Sequence, residues 1–478
     1  MELNKTNGAA QITVSEHISI FEKIAYSFGD TAANITWRAV TTFLLIFYTD
    51  VYGLKPEDAA FVLLVTRLFD GITDVIMGMI CDRTNYHGNK FRPWILWSAI
   101  PFGLILIATF TVPDLSYNGK LVYALVTYCT LTLVYTINNV PYSSLMSAMT
   151  SDPKERTSIS SFRFAGAYFG GLISQVGLIY LVAYFGGGRN ASGEVINKAA
   201  GYQHSMYLLG ALMVVFLLCT YFGTKERIHT PTSASGAKGV ISDLKELVTN
   251  KPWWILLFTA FLYCTYNNIK QSMAAYFIGK YVPDADGNYL ALYMACLLIV
   301  SVLASLLVSP LARRYGKKST FIAAMLFSGV ATISLYFVPS TNIQGVFVGG
   351  ILSEAGAAML SPLFFAMLGD AADYSQYKCG HRAAGLIYSA GTLSMKFGGG
   401  AAGFIIGTVL AAHGYDASHL TSDSIIGIRE LFSIIPGVFI ILSSALVFFY
   451  PLGKQKMEAI AITLKERALK EEQSASIE

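Results

Sequence analysis

Apolar runs of membrane-spanning length recur along this chain at near-regular intervals, each closed by a short polar connector. About 20 predominantly apolar residues cross a bilayer core as a helix. The pattern predicts twelve such spans, at 24–49, 58–80, 93–112, 121–148, 160–186 and 204–222, then at 253–281, 288–310, 319–338, 343–368, 383–412 and 428–450. Between the two sets lies a stretch of Ser, Thr, Gly and charged residues with the composition of a linker. The expected organisation is a six-helix half over 1–223, a linker over 224–252, a second half over 253–452 and a tail over 453–478. Lys, Arg and Glu at helical spacing make that tail a solvated helix. The expected fold class is therefore an all-α membrane protein.

The halves echo one another. Cys81-Asp82-Arg83-Thr84, then Gly88-Asn89-Lys90 and Phe91-Arg92-Pro93-Trp94, follow the second span, and Leu311-Ala312-Arg313-Arg314-Tyr315-Gly316-Lys317-Lys318 stands at the matching place half a chain later. A repeated basic, glycine-containing hairpin points to the parallel halves of the major facilitator architecture. Basic residues also fix an orientation. Arg83, Lys90, Arg92, Lys154, Arg156, Lys225, Arg227 and the Arg313–Lys318 cluster all follow even-numbered spans. The positive-inside rule then puts both termini and the linker on the cytoplasmic side of a cell (inner) membrane. Residues 1–22 lack a cleavable signal pattern, so the first span is expected to stay.

Composition narrows the class further. The chain is 54% hydrophobic, 13% charged and only +4 in net charge, with a mean hydropathy of +0.51. Soluble domains carry about 25% charged residues, and no basic domain here suits nucleic acid. Six scattered cysteines, with no Cys-x-x-Cys spacing, read as free thiols. Asn190-Ala191-Ser192 matches a glycosylation acceptor, a triplet common by chance. Seven histidines, mostly in loops, supply no cluster for a membrane enzyme, and no cofactor is implied.

Two carboxylates stand out. Asp70 and Asp74 are i,i+4 on one face of the second span. Each costs roughly 2.5–3.5 kcal/mol at a bilayer centre, so the pair avoids lipid. Either it lines an aqueous cavity and holds a cation, Na⁺ or H⁺, or it is a structural ion pair with Arg67 one turn away. Lys396, inside the eleventh span beside Gly398-Gly399-Gly400, is the natural partner, its alternative being to snorkel to an interface. In the fourth span Thr136 and Asn139 are near neighbours on a helix face, and Asn139 offers donors and acceptors suited to sugar hydroxyls or to another helix. Arg38, one turn from Asn34 in the first span, faces the cavity or pairs with a carboxylate. Asn267, Asn268, Lys270 and Gln271 form a polar turn in the seventh span, either a solvated helix end or part of a site in which Tyr266 stacks on a sugar ring. Glu354 in the tenth span has no partner that spacing names.

The runs Arg67-Leu68-Phe69-Asp70-Gly71-Ile72-Thr73-Asp74 and Gly88-Asn89-Lys90-Phe91-Arg92-Pro93-Trp94 resemble those of the glycoside–pentoside–hexuronide:cation symporters. So do Asp370-Ala371-Ala372-Asp373-Tyr374-Ser375-Gln376-Tyr377, Thr49-Asp50, Asn139-Val140-Pro141-Tyr142 and Thr224-Lys225-Glu226-Arg227, and the likeness covers nearly the whole chain. It implies the major facilitator fold and cation-coupled sugar symport by alternating access; the chain is expected to work in the bilayer as a monomer. It further implies a cation site at Asp70, Asp74 and Thr136, and sugar contacts at Asn34, Asn139, Ser143 and Arg163 with Lys396 nearby. The family's melibiose permease has aspartates where this chain has Asn34 and Asn139, and a tryptophan where it has Ser143. The sugar site therefore differs from a melibiose site, and Arg38 would suit a uronide carboxylate or else pair with an acid. Two rival readings are a lysolipid or proton-coupled carrier, which should show a laterally open apolar cleft, and a membrane sensor, which should carry a soluble signalling domain.

Overall fold

The computed structural model describes residues 18–83, 86, 89–150, 153–190, 193–227, 250–283, 288–379 and 384–475. Thr84, Gly88, Ala191, Ser192 and most of the linker lie outside these. Twelve long helical passes follow in order, with a thirteenth helix in the tail. The first half holds α1 (Ile20–Ala39, continued by π-helical turns Val40–Leu44 and Tyr48–Tyr52), α2 (Pro56–Arg83), α3 (Arg92–Thr109), α4 (Tyr117–Met149), α5 (Pro153–Leu172, continued to Leu178–Phe185) and α6 (Lys198–Gly223). The second holds α7 (Lys251–Tyr276, then a π turn Phe277–Tyr281), α8 (Tyr289–Tyr315), α9 (Lys317–Ser334), α10 (Ile343–Ala357 and Leu360–Cys379), α11 (Ala384–Ala412) and α12 (Ser422–Phe432 and Ile434–Phe448). The tail helix is α13 (Lys454–Ala475).

Most helices outrun their apolar runs because polar caps extend them. Side chains of Ser19, Ser116, Asn197, Asn250, Asn342 and Thr421 accept backbone N–H bonds that would otherwise be orphaned at the helix starts. Gly53, at φ +83°, ends α1, and Gly316, at φ +87°, turns α8 into α9, a conformation that L residues rarely adopt. Among the described residues nine helices are long and apolar enough to cross a membrane by length and composition. α1, α2 and α7 are not among them, and these three carry Arg38, Asp70, Asp74 and Lys270.

Outward faces are greasy: Leu68, Ile72, Ile76 and Ile80 form an exposed stripe on α2, on the side away from Asp70 and Asp74. In water such a stripe would be an aggregation surface; against lipid tails it is the ordinary face of a span. Within the first half α1 packs on α5 and α6, and α3 on α4 and α6; in the second, α7 packs on α11 and α12, and α9 on α10 and α12. The halves meet along α2–α11, α1–α7 and α5–α8. Glycine makes the first of these close. A Cβ on Gly407 of α11 would fall 2.1 Å from Ala60 Cβ, and one on Gly403 would fall 2.9 Å from Leu63 Cβ.

The two ends of the bundle differ. At the end away from α13, α1 and α7 are latched: Tyr276 OH lies 2.7 Å from Thr49 Oγ1, Lys280 Nζ is 3.2 Å from Asp50 Oδ2, and Tyr415 OH donates to Asp50 Oδ1 at 2.8 Å. Deeper in, Ser272 Oγ donates to the Thr41 carbonyl at 2.8 Å. Toward the α13 end, a Cβ on Gly78 of α2, one turn past Asp74, would meet nothing within 4 Å. Open space lies beside α2 there.

Candidate functional site

Asp70 and Asp74 face α11 because the α2 helix puts them on the stripe opposite its lipid-facing leucine and isoleucines. Lys396 Nζ lies 2.9 Å from Asp70 Oδ2 and also contacts Asp74 Oδ2. From α4, the Thr136 hydroxyl lies 2.9 Å from Asp74 Oδ1 and 3.2 Å from Asp70 Oδ1, so one proton serves two carboxylate oxygens. Gly400, whose Cβ would sit 3.1 Å from Arg67 Cβ, lets α11 come near enough for the lysine to bridge the pair. Arg67 itself lies over the Trp37 ring, 4.4 Å from its centroid. The acids therefore pair with the lysine of the other half. Asp70 is almost fully buried, while Asp74 keeps 36% of its side-chain surface exposed. Accessibility rises toward the open end.

Next to this cluster are two polar helix faces. On α4, Thr136, Asn139 and Ser143 follow one another at i, i+3 and i+7, a single stripe. On α1, Asp30, Asn34 and Arg38 follow at i, i+4 and i+8, covering about 12 Å of helix axis. Arg163 of α5 closes the gap between them. Its Nε donates to Asp30 Oδ2 at 2.7 Å and its Nη2 to Ser143 Oγ at 3.3 Å. Asn34 Nδ2 donates to the Asp30 carbonyl at 3.0 Å, which leaves its oxygen available. Gly166 and Gly170 bring α5 against α1: a Cβ on either would lie 2.3 Å from a backbone oxygen, of Ser27 and Thr31 respectively.

Arg38 ends the α1 stripe at a small cavity of about 40 Å³, lined also by Gln175, Asn267, Lys270, Gln271, Tyr293, Ser301 and Glu354. Glu354 is its acid, accepting from Ser301 Oγ at 2.5 Å and lying within electrostatic reach of Arg38 and Lys270.

A family model described as MFS/sugar transport protein matches residues 25–454. This chain belongs to that family. It is 34% identical over 461 residues, 94% of this chain and 96% of the other, to YagG of Escherichia coli, a candidate glycoside/cation symporter. It is 33% identical over 447 residues, 92% and 90% of the two chains, to the isoprimeverose transporter of Lactiplantibacillus pentosus. Among solved structures, a bacterial homologue of the lysosomal transporter Spinster, inward-facing and unoccupied, superposes with a TM-score of 0.68. That pair shares 16% identity, over 91% of this chain and 98% of the other, which shows the major facilitator fold alone. The protein is a multi-pass membrane transporter of the sugar transport family, and not an enzyme.

For this family member the structure relocates several residues expected from sequence. Tyr266 is 1% exposed and borders the small cavity at Arg38, and its hydroxyl lies 2.8 Å from Ser328 Oγ and 3.0 Å from Ser353 Oγ. Its neighbours on α9 and α10 are small hydroxyl residues, so a knot of hydrogen bonds holds the ring in the core of the second half. Asn267 to Gln271 are not a helix end but the middle of α7. Arg38 both faces a cavity and shares it with an acid. Asp30 went unnoticed from sequence; its signal was an acid one turn before Asn34, on the same face.

Proposed function

We propose that this protein imports a glycoside, pentoside or hexuronide together with a monovalent cation by alternating access. The observation that carries the reading is the charge balance at Asp70, Asp74 and Lys396. Two carboxylates share one ammonium while the Arg67 guanidinium is turned to the Trp37 ring, which leaves one negative charge without a contacting partner in a place where charge is costly. A single Na⁺ or H⁺ neutralises it, with carboxylate and Thr136 oxygens as its ligands. The sugar sits against Asn139, Ser143, Asn34 and Arg163, on the α4 stripe that begins at Thr136. Cation and sugar thus contact one helix face, so each favours the binding of the other, a reciprocal coupling. The open end is cytoplasmic by the positive-inside pattern, which makes this an inward-facing arrangement. The polar stripes of α1 and α4 favour a sugar over a lipid.

Uptake of radiolabelled pentosides, hexosides and uronides into proteoliposomes, under a Na⁺ gradient or a pH gradient, tests the reading. At least one sugar should accumulate severalfold under one of the gradients. No accumulation under either would refute it. Asn139→Ala should weaken binding of that sugar by roughly 1–3 kcal/mol, because a buried hydroxyl loses its partner. In calorimetric titrations the cation affinity should stay within about twofold, near the noise of a context effect; equal losses would make Asn139 a structural residue.

A further inference from the structure

Among the described residues, four buried polar atoms at the Arg38 cavity have no hydrogen-bond partner: Arg38 Nε, Lys270 Nζ, Gln271 Oε1 and Tyr293 OH. Native interiors satisfy nearly all such groups, and a concentration of exceptions at one cavity calls for a ligand. Charge says of what sign. With Lys270 protonated, Arg38 and Lys270 contribute two positive charges against the one negative charge of Glu354, so the cavity wall then carries an excess of one positive charge. Neither cation forms an ion pair within 4 Å of a carboxylate among the described residues. Lys270 Nζ does lie 3.9 Å from the centroid of the Phe432 ring, but a ring face offers an ammonium no acceptor oxygen. The Glu354 carboxylate is held from its own side by Ser301. Gln271 Nε2 is turned to Asn267 Oδ1 at 3.4 Å, and Gln175 Nε2 to Thr42 Oγ1 at 3.1 Å.

Size says how much of a ligand fits. A water occupies roughly 10–15 Å³ on this measure, so the cavity takes about three waters or one small acid group, and no sugar ring. Position says what it joins. Arg38 comes from α1 of the first half, Lys270 from α7 and Glu354 from α10 of the second, and Arg38 continues the stripe of Asp30 and Asn34.

We propose that Arg38 and Lys270 form an anion-binding subsite, bridging the two halves, that receives a carboxylate or sulfonate group. The anion's oxygens accept from the guanidinium, the ammonium and the Tyr293 hydroxyl, and its charge cancels the excess. The acid belongs to a sugar whose ring lies beside Asn34, or it is a free inorganic anion; the first source rests on the sugar-transport reading above, the second does not.

The full-length protein in lipid nanodiscs is titrated calorimetrically with methyl β-glucuronide and methyl β-glucoside, and separately with inorganic sulfate in a thermal-shift assay. The glucuronide should bind about tenfold or more tightly than the glucoside, the gain of a charge-assisted hydrogen bond. Lys270→Gln should erase that preference and Lys270→Arg keep it. Saturable stabilisation by sulfate that Lys270→Gln removes, without a glucuronide preference, supports the subsite with a free anion as its occupant. Equal binding of the two glycosides by the wild-type protein together with no sulfate response overturns the subsite, whatever the variants do. Cation-driven uptake of a neutral glycoside is measured alongside: if it persists when the anion tests fail, the transport reading stands and only the subsite falls.

Discussion

Along the α2–α11 seam the backbones meet through Gly403 and Gly407, and the charged groups between them touch directly. Across the α1–α7 seam larger polar side chains hold the helices around a cavity, and Arg38 and Lys270 stop short of any carboxylate. The contact cluster of the first, Asp70, Asp74 and Lys396, holds two acids and one base; the cavity of the second, Arg38, Lys270 and Glu354, holds two bases and one acid. Each is one charge from neutrality, with opposite sign. Close packing allows a charged cluster to be completed by a bare ion, whereas a cavity must be completed by something with atoms of its own. The difference between the seams is thus a difference in what each can bind.

Removing an acid from the tight seam should have the largest effect. Asp70→Asn leaves Lys396 facing one carboxylate, so the cluster is neutral without any added cation. Concentrative uptake should fall by about a hundredfold or more, the scale of breaking a buried ion pair, while sugar exchange partly survives. Wild-type accumulation in this variant would end the assignment of the dyad to the cation.

Next in size is the latch on the other seam. Asp50→Ala strands Lys280, which is only 10% exposed, and should favour opening of the latched end by roughly 3–5 kcal/mol. Ser272→Cys, below the latch, then becomes reactive to an impermeant maleimide added outside. Unchanged labelling would mean the latch does not hold the seam shut. A smaller loss tests packing alone. Gly407→Val should cost about 1–3 kcal/mol through overpacking against Ala60, visible as a lower melting temperature, whereas Gly78→Val, where a Cβ meets open space, should not.

Glu194→Gln should matter least. Glu194 also approaches Lys280, at 3.8 Å, but is 52% exposed, so its contribution is below about 1 kcal/mol. Lys198 first, then Lys280, hold the Glu194 carboxyl below its ordinary value. A depressed carboxyl stabilises above the ordinary carboxylate range and loses that contribution only as pH falls through the lowered value. Maleimide labelling at Ser272→Cys should therefore stay flat from neutral to mildly acidic pH, with or without Glu194.

How much of this could be read in the sequence follows from distance along the chain. Asp70 and Asp74 announce themselves because two acids one turn apart in a span violate the composition around them. Lys396 does so for the same reason. The partners of Glu354 were illegible, since Arg38 is 316 positions away and Lys270 sits on a different helix. Helical periodicity says which residues share a face, not which helix that face meets. The hydroxyl partners of Tyr266 are illegible on that account: a tyrosine beside two asparagines has the same spacing whether or not it meets the Ser328–Ser353 knot. The twelve passes were plain, but their ends shifted outward, as at Ser422 and Tyr52, where polar caps and π turns lengthen helices past the apolar runs.

Lys396 has a consequence of a different kind. Its ammonium is tethered, so it faces the dyad at an effective concentration of millimolar order or higher, independent of the medium. Any free cation competes with an occupant that cannot diffuse away. The dependence of transport on external cation is therefore a competition curve, displaced to higher concentration than the dyad alone would show. Shortening the tether should move that curve while leaving the oxygens that hold the ion in place.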